Sequence, residues 1–139
     1  MTEGTENTPA RSPGRILVID DEPALSKVTR TFLERLGGYT VCEVNFPTDA
    51  IKIAREFKPD LVLMDVVMPM LTGPELAEKM RKLPEFSEVP ILFLTSTVAR
   101  SEAGTGAMES NGEQFLSKPI VRDVLLKTVA DALSGKSGG

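Results

Sequence analysis

Three aspartates, two hydroxyls and a lysine each stand directly after a short apolar run in this 139-residue chain. Leu61-Val62-Leu63-Met64 ends on Asp65, and Arg15-Ile16-Leu17-Val18-Ile19 ends on Asp20-Asp21-Glu22. Pro90-Ile91-Leu92-Phe93-Leu94 ends on Thr95-Ser96, and Gln114-Phe115-Leu116 ends on Ser117-Lys118. If those ends met, three carboxylates would repel strongly, and Lys118 could offset one charge only. A hard divalent ion held by oxygen ligands would offset the rest, and two or three carboxylates plus waters suit Mg²⁺. A hydroxyl and an ammonium facing a metal-bound carboxylate would bind the equatorial oxygens of a transferring phosphoryl group. The carboxylate could itself be the nucleophile, giving an acyl phosphate. Taken singly, each of these residues is an ordinary turn former. Only convergence makes a site of them.

The elements that must position them follow from the apolar pattern. Continuous apolar runs of four or five residues read as strands buried on both faces, the kind found inside parallel sheets. Between them lie helical patterns. Pro23 suits a first helical turn, Leu25, Val28, Phe32 and Leu36 follow at helical spacing, and Gly37-Gly38 ends the helix. Thr40 to Val44 is a short strand. Ala50, Ile51, Ile53, Ala54 and Phe57 make a second amphipathic helix, closed by Pro59. Thr72-Gly73-Pro74-Glu75 has the spacing of a capping box, and the helix it opens runs through Leu76 and Met80 to about Leu83. Val121, Leu125, Val129 and Ala132 give a last helix. Strand then helix, five times over, predicts an α/β domain with a parallel sheet covered by helices on both faces. The carboxyl ends of all its strands share one edge, where such folds keep their sites. That edge would carry Asp20, Asp21, Asp65, Thr95, Ser96 and Lys118.

Composition narrows the function classes. A hydrophobic content of 41% supports one domain with a real core. The net charge of -4 argues against nucleic-acid binding, and no apolar run is long enough for a membrane span. The chain has no histidine, which rules out His-ligated zinc, Ser-His or Cys-His nucleophiles and a phosphohistidine on this chain. Cys42, the one cysteine, lies in an apolar alternation and reads as an inert core thiol in a reducing compartment. Residues 1–13 are polar and read as a flexible leader, residues 14–134 as the folded domain, and residues 135–139 as a flexible tail. No output domain is expected after Leu133, so the chain is either a stand-alone unit or one cut from a longer protein.

Over about Arg15 to Leu133 the chain resembles the receiver domain of two-component response regulators, most like the chemotaxis regulators. The resemblance rests on Asp20-Asp21, on Asp65-Val66-Val67-Met68-Pro69 with Gly73, on Leu94-Thr95-Ser96 and on Lys118-Pro119. It implies a flavodoxin-like, doubly wound five-stranded parallel sheet in the order 2-1-3-4-5 with five helices. It makes Asp65 the phosphoacceptor. Asp21 would bind Mg²⁺ directly and Asp20 largely through water, with Asp65 and the backbone carbonyl of Val67 completing the protein ligands. Lys118, Thr95 and the Ser96 N–H would bind the phosphoryl group, Thr95 and Phe115 would form the switch, and the Lys118-Pro119 bond would be cis. The implied donor is a phosphohistidine on a sensor histidine kinase or histidine phosphotransfer protein. The implied readout is altered binding of a downstream protein at the face of the fourth helix, fifth strand and fifth helix. The implied place is the cytoplasm, with no membrane or nucleic-acid partner and no turnover enzyme activity.

Two departures carry expectations of their own. Val67 is apolar where many relatives carry a polar side chain, so no group there orients an attacking water and self-hydrolysis is expected to be slow. Residues 101–112, where the fourth helix belongs, hold Gly104, Gly106 and Gly112 among Ser and Thr, which predicts a short, irregular or mobile segment. Other classes fit less well. A haloacid-dehalogenase-type phosphatase would want an Asp where Val67 stands, and an FMN-binding flavodoxin would want a hydroxyl- and Gly-rich loop in place of Asp20-Asp21-Glu22. A pseudo-receiver that acts only as a docking module would not need the full set of site residues.

Overall fold

Arg15–Ile19 (β1), Thr40–Val44 (β2), Leu61–Asp65 (β3), Ile91–Thr95 (β4) and Glu113–Ser117 (β6) form the parallel part of one sheet, with the two-residue strand Glu109–Ser110 (β5) added at its edge. The structure is a computed structural model that describes residues 14–68, 70–95, 109–110, 113–118 and 120–138. Strands neighbour one another as β2-β1-β3-β4-β6-β5. Counting the parallel strands alone in chain order, this is 2-1-3-4-5, as expected. Every residue of β3 and β4 is buried, which is why their sequences are continuous apolar runs and not alternations.

Four helices cover the sheet among the described residues: Pro23–Gly37 (α1), Ala50–Phe57 (α2), Gly73–Arg81 (α3) and Arg122–Gly138 (α4). Alternate strand residues face opposite ways and build two cores. Leu17, Ile19, Val62, Met64 and Phe93 pack with Ala50 and Ala54 of α2 and with Leu76, Ala77 and Met80 of α3. Ile16, Val18, Leu61, Leu63, Leu92 and Leu94 pack with Leu33 of α1 and with Leu125 and Val129 of α4. Half-buried Cys42 lies against the first of these cores, and burial raises its thiol pKa, consistent with an inert thiol.

The helix boundaries obey local chemistry. Pro23 opens α1, and Gly38, at φ 75°, closes it with its N–H on the Glu34 carbonyl while Tyr39 N–H reaches the Leu33 carbonyl. The capping box at Thr72 is complete: its hydroxyl accepts from Glu75 N–H, and the Glu75 carboxylate accepts from Thr72 N–H at 3.0 Å.

Two expectations change. The stripe Leu25, Val28, Phe32 and Leu36 is not the buried face of α1, because Ser26, Thr29 and Leu33 are buried while Val28 and Leu36 are exposed. The helix turns a polar stripe inward because Ser26 finds partners on β2 and Asn45, and Thr29 satisfies its own hydroxyl on the Leu25 carbonyl. Residues 101–108 and 111–112, most of the interval given to the short or irregular fourth helix, lie outside the described residues. Of that interval, Glu109–Ser110 are described and pair antiparallel with β6. The last helix, expected to stop near Leu133, runs through Gly138, with Ser134 Oγ donating to the Ala130 carbonyl at 3.0 Å. No helix of the described residues is long and apolar enough to cross a membrane.

Candidate functional site

The ladder registers bring the predicted residues together. Ile19 pairs with Met64, so the next residue on each strand, Asp20 and Asp65, stand side by side at the carboxyl edge. Thr95 pairs with Ser117, and Lys118 N–H donates to the Thr95 carbonyl at 2.7 Å, which places the lysine across the edge from the aspartates. One oxygen from each of Asp20, Asp21 and Asp65 lies within 4.8 Å of the others. Asp20 is fully buried and Asp65 nearly so, while Asp21 is half-buried. Asp21, Glu22, Asp65, Val67, Thr95 and Lys118 are among the residues lining a cleft of about 250 Å³. Asp20 stands behind it.

Lys118 is shared. Its Nζ hydrogen-bonds Asp65 Oδ1 at 3.1 Å and lies 3.8 Å from both Asp20 Oδ2 and Glu22 Oε1. The approach of Glu22 escaped the sequence reading, although its place directly after the acidic pair was the available signal. One ammonium cannot neutralise this group. Burial pushes Asp20 from the ordinary carboxylate value of 3.8 up to about 6, against the opposing pull of the Glu22 N–H and Lys118. Burial also raises Asp65, opposed by its hydrogen bond from Lys118. Asp20 Oδ1 accepts from Glu22 N–H at 2.9 Å, but buried Asp20 Oδ2 has no hydrogen-bond partner. An orphaned buried oxygen beside two more carboxylates is what a hard oxygen-seeking cation would satisfy, and the donor set fits Mg²⁺.

The loop after β3 is folded tightly beneath the site. Gly73 N–H donates to the Val66 carbonyl at 2.8 Å, and a Cβ on Gly73 would run into the Asp65 backbone carbonyl oxygen. Glycine is required there for close approach to the backbone of β3. Thr95 is buried at the end of β4, and Phe115 is partly buried, stacked on Phe93 with ring centroids 5.2 Å apart. Ser96 and Pro119 lie outside the described residues, and with them the N–H and cis-bond expectations.

Residues 16–130 match the family model for the response regulator receiver domain. The chain belongs to the response regulator receiver family. This receiver is 33% identical over 121 residues to protein PilH of Pseudomonas aeruginosa, covering 87% of this chain and 98% of PilH. It is 30% identical over 122 residues to response regulator Rre1 of Synechocystis, covering 88% of this chain and 52% of Rre1. It thus spans about half the length of several regulators it matches and nearly all of PilH. Among solved structures, the chemotaxis response regulator CheY4 of Vibrio cholerae superposes with a TM-score of 0.73 at 28% identity, over 86% of this receiver and 98% of that chain. The acidic cluster of the receiver fits both the phosphorylation and the Mg²⁺ binding of two-component signalling.

Proposed function

We propose that this receiver is a phospho-accepting switch, in which Asp65 takes a phosphoryl group from a phosphohistidine of a sensor histidine kinase or histidine phosphotransfer protein. The observation that supports it most is the geometry around Asp65. This carboxylate opens on the cleft, holds the ammonium of Lys118 at 3.1 Å, and has two further aspartates within ion-sharing distance. A ligand set of Asp20, Asp21, Asp65 and the Val67 carbonyl would hold Mg²⁺, whose charge when bound offsets the repulsion among carboxylates and incoming phosphoryl oxygens. Asp65 attacks phosphorus as the P–N bond of the donor breaks, and the electron pair leaves on the imidazole nitrogen. Lys118, Thr95 and the Ser96 N–H carry the phosphoryl oxygens. The absence of histidine fits a donor supplied in trans.

Thr95 then moves toward the phosphoryl group, and Phe115 follows inward. The readout is altered binding of a downstream protein at the face of β6 and α4. The receiver works in the cytoplasm and turns over no substrate. Exposed, apolar Val67 positions no water, so self-hydrolysis of the acyl phosphate is slow. A lifetime of seconds in Mg²⁺ would overturn that last point.

Titration with Mg²⁺ and then beryllofluoride, followed by NMR on wild type and Asp65→Asn, tests the whole reading. Saturable shifts at Asp65, Thr95, Phe115 and Lys118 that vanish in the variant are expected. Mg²⁺ binding with Thr95 and Phe115 unmoved by the mimic would leave a docking module, and binding of neither would remove the site.

A further inference from the structure

We infer that Asn45, backed by Ser26 and Glu43, is a positioning residue for the acidic turn. The inference rests on the Mg²⁺-dependent reading above. The β1–β2 ladder ends with Asp20 N–H donating to the Val44 carbonyl at 3.0 Å. The next ladder bond comes from a side chain. Asn45 Nδ2 donates to the Asp20 carbonyl at 2.7 Å, doing the work of a further strand N–H, and its second proton reaches Ser26 Oγ at 3.1 Å. Ser26 is fully buried and donates in turn to Glu43 Oε1 at 2.8 Å. Glu43 Oε2 lies 3.4 Å from Arg30 at the protein surface.

The consequence concerns the peptide unit that Asp20 and Asp21 share. Its carbonyl is the one Asn45 holds, so the plane of that unit, and with it the direction in which Asp21 leaves the strand, is fixed from the β2 side. Both main-chain groups of Asp20 are thereby tied to residues 44 and 45. This matters because three carboxylates crowded within 4.8 Å push the turn open until a cation arrives. A brace made of uncharged donors resists that opening without adding a competing cation to the site. It also explains why α1 turns Ser26 inward in place of the apolar stripe: the hydroxyl fixes the Asn45 amide, and the Glu43 carboxylate fixes the hydroxyl.

The test compares full-length wild type with Asn45→Ala, Ser26→Ala and Arg30→Met. Calorimetry gives Mg²⁺ affinity, NMR gives amide exchange of Asp21 in chelator, and denaturant unfolding gives stability. Asn45→Ala is expected to weaken Mg²⁺ binding roughly five- to tenfold, as loss of one fixed hydrogen bond implies, and to speed Asp21 exchange before any metal is added. Ser26→Ala should weaken binding roughly two- to threefold, and Arg30→Met less than about twofold. A merely structural role would lower the unfolding midpoint and leave the affinity of the folded protein alone. Affinity of Asn45→Ala within twofold of wild type, or an equal loss in Arg30→Met, overturns the inference. If Asn45→Ala does not fold, unchanged affinity in Ser26→Ala overturns it. Wild type that binds no Mg²⁺ removes the receiver-site reading and the brace together, whereas variants that all bind like wild type remove the brace alone.

Discussion

Asp20 and Asp65 are the same residue type, at the same level of neighbouring strands, and the fold treats them differently. Asp65 opens on the cleft and holds the Lys118 ammonium at 3.1 Å. Asp20 stands behind the cleft, fully buried, with one oxygen on a backbone N–H and the other without a hydrogen bond. The first arrangement suits a nucleophile: on the cleft wall, with an ammonium that favours its ionised form against burial. The second suits a fixed negative charge awaiting a cation. Position against the cleft and hydrogen-bond partners, not residue type, set the two aspartates apart.

The strongest way to break the contrast is to neutralise each aspartate in turn. Asp65→Asn should abolish the NMR response of Thr95 and Phe115 to beryllofluoride altogether, while Asp20→Asn should keep a weakened response that needs more Mg²⁺. An equal and complete loss in both would erase the distinction. Next in size is Gly73→Ala, whose Cβ would meet the Asp65 carbonyl. It should cost about 3 kcal/mol of stability in denaturant unfolding, and a neutral result would show that the loop yields freely.

Asp20→Asn sharpens the comparison through pH. Burial raises the folded Asp20 from 3.8 to about 6, so between those values the folded protein holds a proton that the unfolded chain has released. In chelator, stability should therefore fall as pH rises from about 4 to about 6, and stay low above that window. Asp20→Asn should flatten the fall, leaving only the part that burial of Asp65 contributes, and stabilise the metal-free protein by roughly 2 kcal/mol at pH 7. The same slope in the variant would trace it to another group. Smallest is Thr72→Ala, which removes the cap of the helix behind the Asp65 loop. A loss of about 1 kcal/mol with beryllofluoride affinity unchanged would confine that cap to stability.

Most of this edge was legible beforehand. Buried parallel strands are written as unbroken apolar runs, so the residue that ends each run is conspicuous, and the Thr72-Glu75 box and Gly38 mark helix ends by local chemistry alone. The failures share a cause. The inward face of α1 was misread because Ser26 and Thr29 look like surface residues until Asn45 and Glu43, far along the chain, supply their partners. The strand at Glu109–Ser110 was hidden because the glycines suggested a weak helix, while the open edge of β6 offered a ladder. Asn45 passed as an ordinary residue at a strand end.

What the amino-acid order determined by itself is therefore the set of elements and the residue at the end of each, since propensity, periodicity and capping act over a few neighbours. The strand registers, the partition of Lys118 among three carboxylates, the place of Asp20 behind the cleft and of Asp65 on its wall, and the reach of Asn45 to the Asp20 carbonyl belong to the tertiary structure alone. Each depends on groups far apart in sequence, and desolvation and hydrogen-bond geometry act on them only once the sheet has brought them together.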